Sequence, residues 1–246
     1  MYKNRTKIFE SLCAQKGQIA VLIDPEKTHT TTTLISLIKK AEFAGVRYFF
    51  VGGSTVSRKE MQTVVEFLKK NTCIPVVIFP GSSEQIAEAD AILLLSLISG
   101  RNPDFLIGHH VAASMELHQL EIEVLPTAYI LIDGGTQSSV AYVSQTSPIP
   151  SEQEAIALRT AIAGAQLGLH CIYFDAGSGA KRSVPPHIIN IVKKELPNFP
   201  IIVGGGIRSM EAVESYSKDA NVIVIGNHIE ENPEFLLELQ AYLQKN

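Results

Sequence analysis

The chain's 246 residues are 46% hydrophobic and 19% charged, an ordinary globular composition that supplies a sizeable core and excludes a disordered chain. Twenty-one Lys and Arg stand against 25 Asp and Glu, a formal charge of -4 without a basic run, so no nucleic-acid partner is expected. No apolar stretch approaches the roughly 18 residues of a membrane span, and Met1 to Arg5 leads into an amphipathic segment without an apolar signal core, so the chain reads as soluble and cytoplasmic.

In chain order, continuous apolar runs occupy Ile19 to Ile23, Tyr48 to Val51, Pro75 to Phe79, Ala91 to Leu95, Tyr129 to Ile132, Cys171 to Phe174, Ile201 to Val203 and Val222 to Ile225. They are short, mostly rich in Val, Ile and aromatics, and do not alternate, as expected of parallel strands buried on both faces. Helical signals lie between them. Met61, Val64, Val65 and Leu68 keep helical spacing behind Ser57 and Glu60, a capping box. Ser151 and Glu154 repeat that form and predict a helix through about Leu167. Asn102-Pro103 and Asn232-Pro233 each pair an N-cap with proline at the first helical position, and Phe235, Leu236, Leu239, Tyr242 and Leu243 follow as an apolar stripe. Ser144 to Pro150 reads as a long loop before a helix.

Eight strands with helical intervals predict one domain over residues 1–246, an α/β chain folded as a single (β/α)₈ barrel of the TIM type. A doubly wound sheet is the alternative, but it needs edge strands, and all eight runs look buried. Cys13, Cys73 and Cys171 are odd in number and far apart, so they offer neither a disulfide framework nor a CxxC metal site. Cys73 and Cys171, at or beside apolar runs, read as small hydrophobes.

Polar residues and glycines collect directly after the strands, which in a barrel places them on the rim that carries active sites. Gly177-Ser178-Gly179, Gly204-Gly205 and Gly226-Asn227 follow the last three strands and point to a phosphate held by backbone N–H groups. Asp24 follows the first strand and Ser54-Thr55 the second. A carboxylate with a hydroxyl suits Mg²⁺ when substrate phosphates complete its shell, although an aspartate before Pro25 is equally a turn starter. Asp133 reads as either a ligand or a turn residue. His109 and His110 read as solvated or packing residues rather than metal ligands.

The ordered set Ile23 to Lys27, Val51 to Thr55, Phe79 to Ser82, Ser96 to Pro103, Tyr129 to Gly135, Ala176 to Lys181 and Val203 to Arg208 resembles the geranylgeranylglyceryl phosphate synthase family, to which the heptaprenylglyceryl phosphate synthases are related. The resemblance runs from about Ile19 to Asn232. It implies a TIM barrel modified in one helix and a prenyltransferase that joins geranylgeranyl diphosphate to the free hydroxyl of sn-glycerol 1-phosphate, releasing pyrophosphate. By the same resemblance Asp24 and Ser54 contact Mg²⁺, and Tyr173, Phe174, Asp175, Ala176, Gly177, Ser178, Gly179, Lys181, Gly204, Gly205, Gly226 and Asn227 hold glycerol phosphate. Asp175 stands where the family usually has glutamate, and it is the expected base. The family also suggests a homo-oligomer. A C20 chain needs an apolar groove, for which Phe79, Leu97, Ile98, Tyr129 and Leu131 are the candidates; each could instead be a core residue. Two other kinds of protein would share the glycine turns: another phosphate-handling barrel enzyme and a barrel that binds phosphate without turnover. Neither needs an apolar tunnel.

Overall fold

Each of the eight apolar runs forms a parallel strand, and in the computed structural model the strands close in chain order into a barrel. They are β1 (Gln18–Ile23), β2 (Tyr48–Val51), β3 (Val76–Ile78), β4 (Ala91–Leu97), β5 (Glu123–Leu131), β6 (Cys171–Asp175), β7 (Ile201–Gly204) and β8 (Val222–Ile225). Closure is set by β1 against β8, with Gln18 opposite Val222. Among the described residues no edge strand remains, which rules out the doubly wound sheet. The structure describes residues 7–27 and 31–243. The leader reading of Met1 to Arg5 therefore lies outside the described residues. No described helix is long and apolar enough to cross a membrane.

The runs do not alternate because both strand faces are buried, each against a different layer. Ile19, Val21, Ile23, Phe49 and Val51 face outward to the helices, while Ala20, Tyr48, Phe50, Leu93 and Tyr173 fill the barrel. Helix α1 (Lys7–Ala14) adds Ile8 and Leu12 to the interior cluster. The buried carboxylate of Glu123, at the start of β5, accepts the N–H groups of Ile8 at 2.8 Å and Phe9 at 2.9 Å and so fixes the first turn of that helix.

The outer layer is α2 (Thr31–Ala44), α3 (Arg58–Asn71), α4 (His109–Gln119), α5 (Ser139–Ser144), α6 (Glu154–Gln166), α7 (Pro186–Glu195), α8 (Met210–Tyr216), α9 (Asn227–Glu231) and α10 (Phe235–Leu243). The capping box of α3 forms as read: Ser57 Oγ accepts from the Glu60 N–H, and the Glu60 carboxylate accepts from the Ser57 N–H. The second box does not form. Ser151 Oγ donates to the neighbouring Glu152 at 2.7 Å, and α6 starts at Glu154 without a side-chain cap. Asn102 Oδ1 accepts the Asp104 N–H at 3.0 Å, but a π-turn over Asp104–Gly108 comes before α4. After Asn232-Pro233 the chain makes a turn first, and α10 starts at Phe235.

Other departures are local. β5 begins six residues before Tyr129, at Glu123, because Glu123, Pro126 and Thr127 break the hydrophobic pattern without breaking the strand. Apart from Ser144, the last residue of α5, the stretch to Pro150 is the expected loop before a helix, and within it Ile149 bridges to Ile132. Cys171 is buried, and burial pushes its thiol pKa up, whereas Cys73 is exposed and does not act as a core hydrophobe. Between β3 and β4, residues 79–90 carry no helix. This is the one-helix modification; in place of a helix, Ile86, Ala87 and Ala89 of the connection pack into the outer core.

Candidate functional site

The C-terminal ends of the strands open into one cavity of about 310 Å³, which has a polar part and a long apolar part. Gly177, Ser178 and Gly179 after β6, Gly205 and Gly206 after β7, and Gly226 and Asn227 after β8 line the polar part together. Loops from three strands thus meet at one place, as their order in the barrel requires. Asn227 Nδ2 donates to Ser178 Oγ at 3.3 Å and ties the first loop to the last. Gly205 packs on the carboxylate at the end of β6. It has φ +82°, and a Cβ there would stand 2.6 Å from Asp175 Oδ1 and 2.7 Å from the N atoms of Ala176 and Gly177.

Asp175 is 6% exposed, and its two oxygens are held separately: Oδ1 accepts the Gly177 N–H at 2.8 Å, and Oδ2 accepts the Tyr129 hydroxyl at 2.5 Å. Burial raises its pKa from the ordinary aspartate value, and the two hydrogen bonds offset that only in part. Burial and the nearby carboxylate push the Tyr129 phenol well up, so it stays protonated and remains a donor. A buried carboxylate with a raised pKa at a cavity wall is a chemically useful group.

Across the cavity, Asp24 Oδ1 accepts the Glu26 N–H at 3.1 Å, and Oδ2 lies 3.5 Å from Lys27 Nζ. The β2 loop presses on this carboxylate: a Cβ on Gly53 would come within 2.9 Å of Asp24 Oδ1. Ser54 lines the same wall. Among the described residues no group of three or more His, Cys, Asp or Glu could hold a metal. A cation here would have to draw most of its ligands from water and from a bound anion. One carboxylate with one hydroxyl is an oxygen-only set that fits Mg²⁺ used in that way.

The apolar part starts at a ring cluster, with Phe79 5.1 Å from Tyr173 and 5.9 Å from Tyr129 between centroids. It continues along Leu94, Leu95 and Leu97 of β4 to Ile86 in the helix-free connection, Phe105 in the π-turn, and Ala113 and Leu117 of α4. The missing helix leaves room for this groove, and α4 roofs it. His109 packs edge-on against Phe105 at 4.8 Å, and His110 Nε2 meets the Leu95 carbonyl at 2.8 Å, so both histidines are wall residues.

Of the expected groove residues, Phe79, Leu97 and Tyr129 line the cavity, and Ile98 and Leu131 do not. Ile98 packs in the outer layer against α6, and Leu131 is fully enclosed inside the barrel. Of the expected phosphate residues, Phe174 and Ala176 belong to the outer core, because alternation turns them away from Tyr173 and Asp175. Gly204 does not line the cavity either; its lack of a side chain makes room for the Tyr173 ring. Lys181 is exposed, and its backbone N–H binds Gly134 O at 3.0 Å. Asp133 makes a turn contact, accepting the Gly135 N–H at 2.9 Å and lying 3.5 Å from Arg182, and it does not line this cavity. Ile86, Phe105, Ala113 and Leu117 were not anticipated. For Phe105, Ala113 and Leu117 the signal in the sequence was the helical segment after Asn102-Pro103; Ile86, in the helix-free connection, had none.

Residues 13–242 match the model of the PcrB family. A geranylgeranylglyceryl phosphate synthase of Spirosoma linguale is 45% identical over 228 residues, covering 92% of this chain and 91% of its own. One from Zunongwangia profunda is 47% identical over 222 residues, 89% and 93% of the two chains. Among solved structures, the (S)-3-O-geranylgeranylglyceryl phosphate synthase of Thermoplasma acidophilum, in complex with sn-glycerol-1-phosphate, superposes with a TM-score of 0.88 at 32% identity over 99% of this chain and 98% of that one.

Proposed function

The chain belongs to the PcrB family, and we infer from that and from its cavity that it is a prenyltransferase joining geranylgeranyl diphosphate to sn-glycerol 1-phosphate, with release of pyrophosphate. The observation that carries this reading is the position of Asp175, at the junction of three glycine loops and a long apolar groove. A phosphate-handling barrel enzyme with a small substrate has no use for that groove.

Gly177 to Gly179, Gly205, Gly206, Gly226 and Asn227 cradle the phosphate of the glycerol substrate, leaving its free hydroxyl toward Asp175. The C20 tail lies along Leu95, Phe105, Ala113 and Leu117, which directs the diphosphate back to Asp24. Asp24 and Ser54 would hold Mg²⁺, whose chemistry is to neutralise charge growing on the diphosphate as the allylic C–O bond weakens. Asp175 takes the proton of the attacking hydroxyl. Tyr129 keeps the carboxylate aimed, and the ring cluster excludes water from the electron-poor carbon. Fixing both reactants supplies much of the rate. The enzyme works in the cytoplasm and as a homo-oligomer.

Incubation with radiolabelled sn-glycerol 1-phosphate, geranylgeranyl diphosphate and Mg²⁺, followed by organic extraction, tests this reading. Label in the organic phase is the expected result; its absence overturns it. Donors of other lengths in the same assay read chain-length preference. Light scattering on a sizing column reads the oligomeric state.

Asp24→Asn removes the charge from the diphosphate end. It should lower kcat/KM for the prenyl donor about 10- to 100-fold, the worth of one charge-assisted contact, and leave glycerol phosphate affinity nearly intact. Undiminished turnover, or full wild-type activity in excess EDTA, would remove Asp24 from the site.

A further inference from the structure

Lys27 stands where the two ends of the cavity meet. Its Nζ donates to Glu230 Oε2 at 3.1 Å and to Asn227 Oδ1 at 3.2 Å, and it lies 3.5 Å from Asp24 Oδ2. One side chain from the loop after β1 therefore touches both the carboxylate assigned to the diphosphate and the asparagine assigned to glycerol phosphate. The Lys27 side chain is 45% exposed, which leaves it free to re-aim. Among the described residues that line the cavity, only Lys27 and Arg208 carry a lasting positive charge.

Both substrates are anions, and they must be brought within bonding distance of each other. As the prenyl C–O bond breaks, its electron pair passes to the diphosphate, and charge grows on the side that faces this seam. A cation counts most where charge develops. Before a donor binds, the carboxylate of Glu230, which also lines the cavity, occupies the ammonium group much as a phosphoryl oxygen would.

Resting on the reading above, we propose that Lys27 binds the leaving diphosphate, and that Glu230 is the internal anion which the diphosphate displaces. Lys27 makes no covalent bond and moves no proton. Its contribution is a pair of charge-assisted hydrogen bonds that strengthen as pyrophosphate forms.

Titration calorimetry of the full chain with inorganic pyrophosphate, in EDTA so that no metal takes part, reads this contact directly. Lys27→Met should raise the Kd for pyrophosphate about 10- to 100-fold, and Lys27→Arg should recover most of the loss. Glu230→Gln should tighten pyrophosphate about two- to fivefold, because the competitor for the ammonium is gone. In parallel titrations with sn-glycerol 1-phosphate, Lys27→Met should change affinity far less. Wild-type pyrophosphate affinity in Lys27→Met, weaker binding in Glu230→Gln, or equal losses for the two anions would each overturn the assignment. If the wild type transfers the prenyl group yet binds pyrophosphate without regard to Lys27, the assignment alone fails. If the wild type transfers nothing, the transferase reading fails first.

Discussion

Asp175→Asn should lower kcat by roughly 10²–10⁴ while the protein stays folded, the range set by loss of a general base that acts in the transition state. The variant keeps the volume of the side chain and an oxygen to accept the Gly177 N–H, now at 2.8 Å from Oδ1. It loses the oxygen that accepts the Tyr129 hydroxyl, and with it the capacity to take a proton. Asp175→Glu should retain substantial activity, because the resemblance expects glutamate at this position. The shorter aspartate reaches the glycerol hydroxyl through a water or a closer loop. An Asn variant with wild-type kcat would reduce the carboxylate to a turn residue at Ala176 to Ser178.

The pH dependence follows from the same contacts. Burial raises the Asp175 pKa, and the Tyr129 and Gly177 hydrogen bonds lower it. Tyr129→Phe removes one of the lowering contacts, so the acidic limb of kcat/KM should move to higher pH than in the wild type. A limb that stays in place or moves to lower pH would mean that Asp175 does not set it. Stability responds in the opposite sense to activity. A carboxylate whose folded pKa is raised contributes most below its unfolded value, and that contribution is lost as pH rises through the folded pKa. At neutral pH the buried charge is a cost, which Asp175→Asn removes. The inactive variant should therefore melt no lower than the wild type at pH 7.

The barrel was legible in the sequence because its strands are buried on both faces. Tyr48–Val51 and Val222–Ile225 end where their apolar runs end. Where polar residues enter a strand the pattern fails: Glu123, Pro126 and Thr127 hid the first half of β5, although Glu123 is satisfied by the first turn of α1 and Thr127 by its own strand. Thr127 Oγ1, for example, donates to the Leu125 carbonyl at 2.8 Å. The meeting of the glycine loops after β6, β7 and β8 was readable because small residues after consecutive parallel strands are neighbours in space. The side chains that line the groove were readable only in part: Phe79, Leu97 and Tyr129 reach it as expected, but elsewhere facing in or out depends on strand alternation and on helix rotation. Ile98 faces the outer layer, whereas Leu131 shares the inward face of Tyr129 but is enclosed there and does not line the cavity. Phe105 and Leu117 reach the groove because a π-turn sets the start of α4, and a π-turn has no strong sequence signature. The anion seam at Lys27 joins residues 200 positions apart, beyond the reach of any local pattern.

Gly205→Val should raise the KM for sn-glycerol 1-phosphate about 100-fold or more, with a much smaller change for the prenyl diphosphate. The reason lies in the backbone as much as in the space. At φ +82° a β-branched residue is strained, by about 1–3 kcal/mol. Relaxing that strain would turn the N–H groups of the loop away from the phosphate. If the backbone holds instead, the new Cβ stands 2.6 Å from Asp175 Oδ1, closer than real Cβ contacts come, and pushes the carboxylate off its Gly177 N–H. Both routes damage the same end of the cavity, and either forfeits one or more charge-assisted contacts worth about 1.5–3 kcal/mol each. The nearest atoms to the new Cβ belong to Asp175, Ala176 and Gly177, not to the prenyl groove or Asp24. Gly205→Ala adds the Cβ without the branch, so it should fold more readily and show the same imbalance between substrates in milder form. Steady-state kinetics on both variants, with circular dichroism to check the fold, reads the result. Equal losses for the two substrates in a folded variant would mean that glycerol phosphate is bound elsewhere than on Gly177, Gly205 and Asn227.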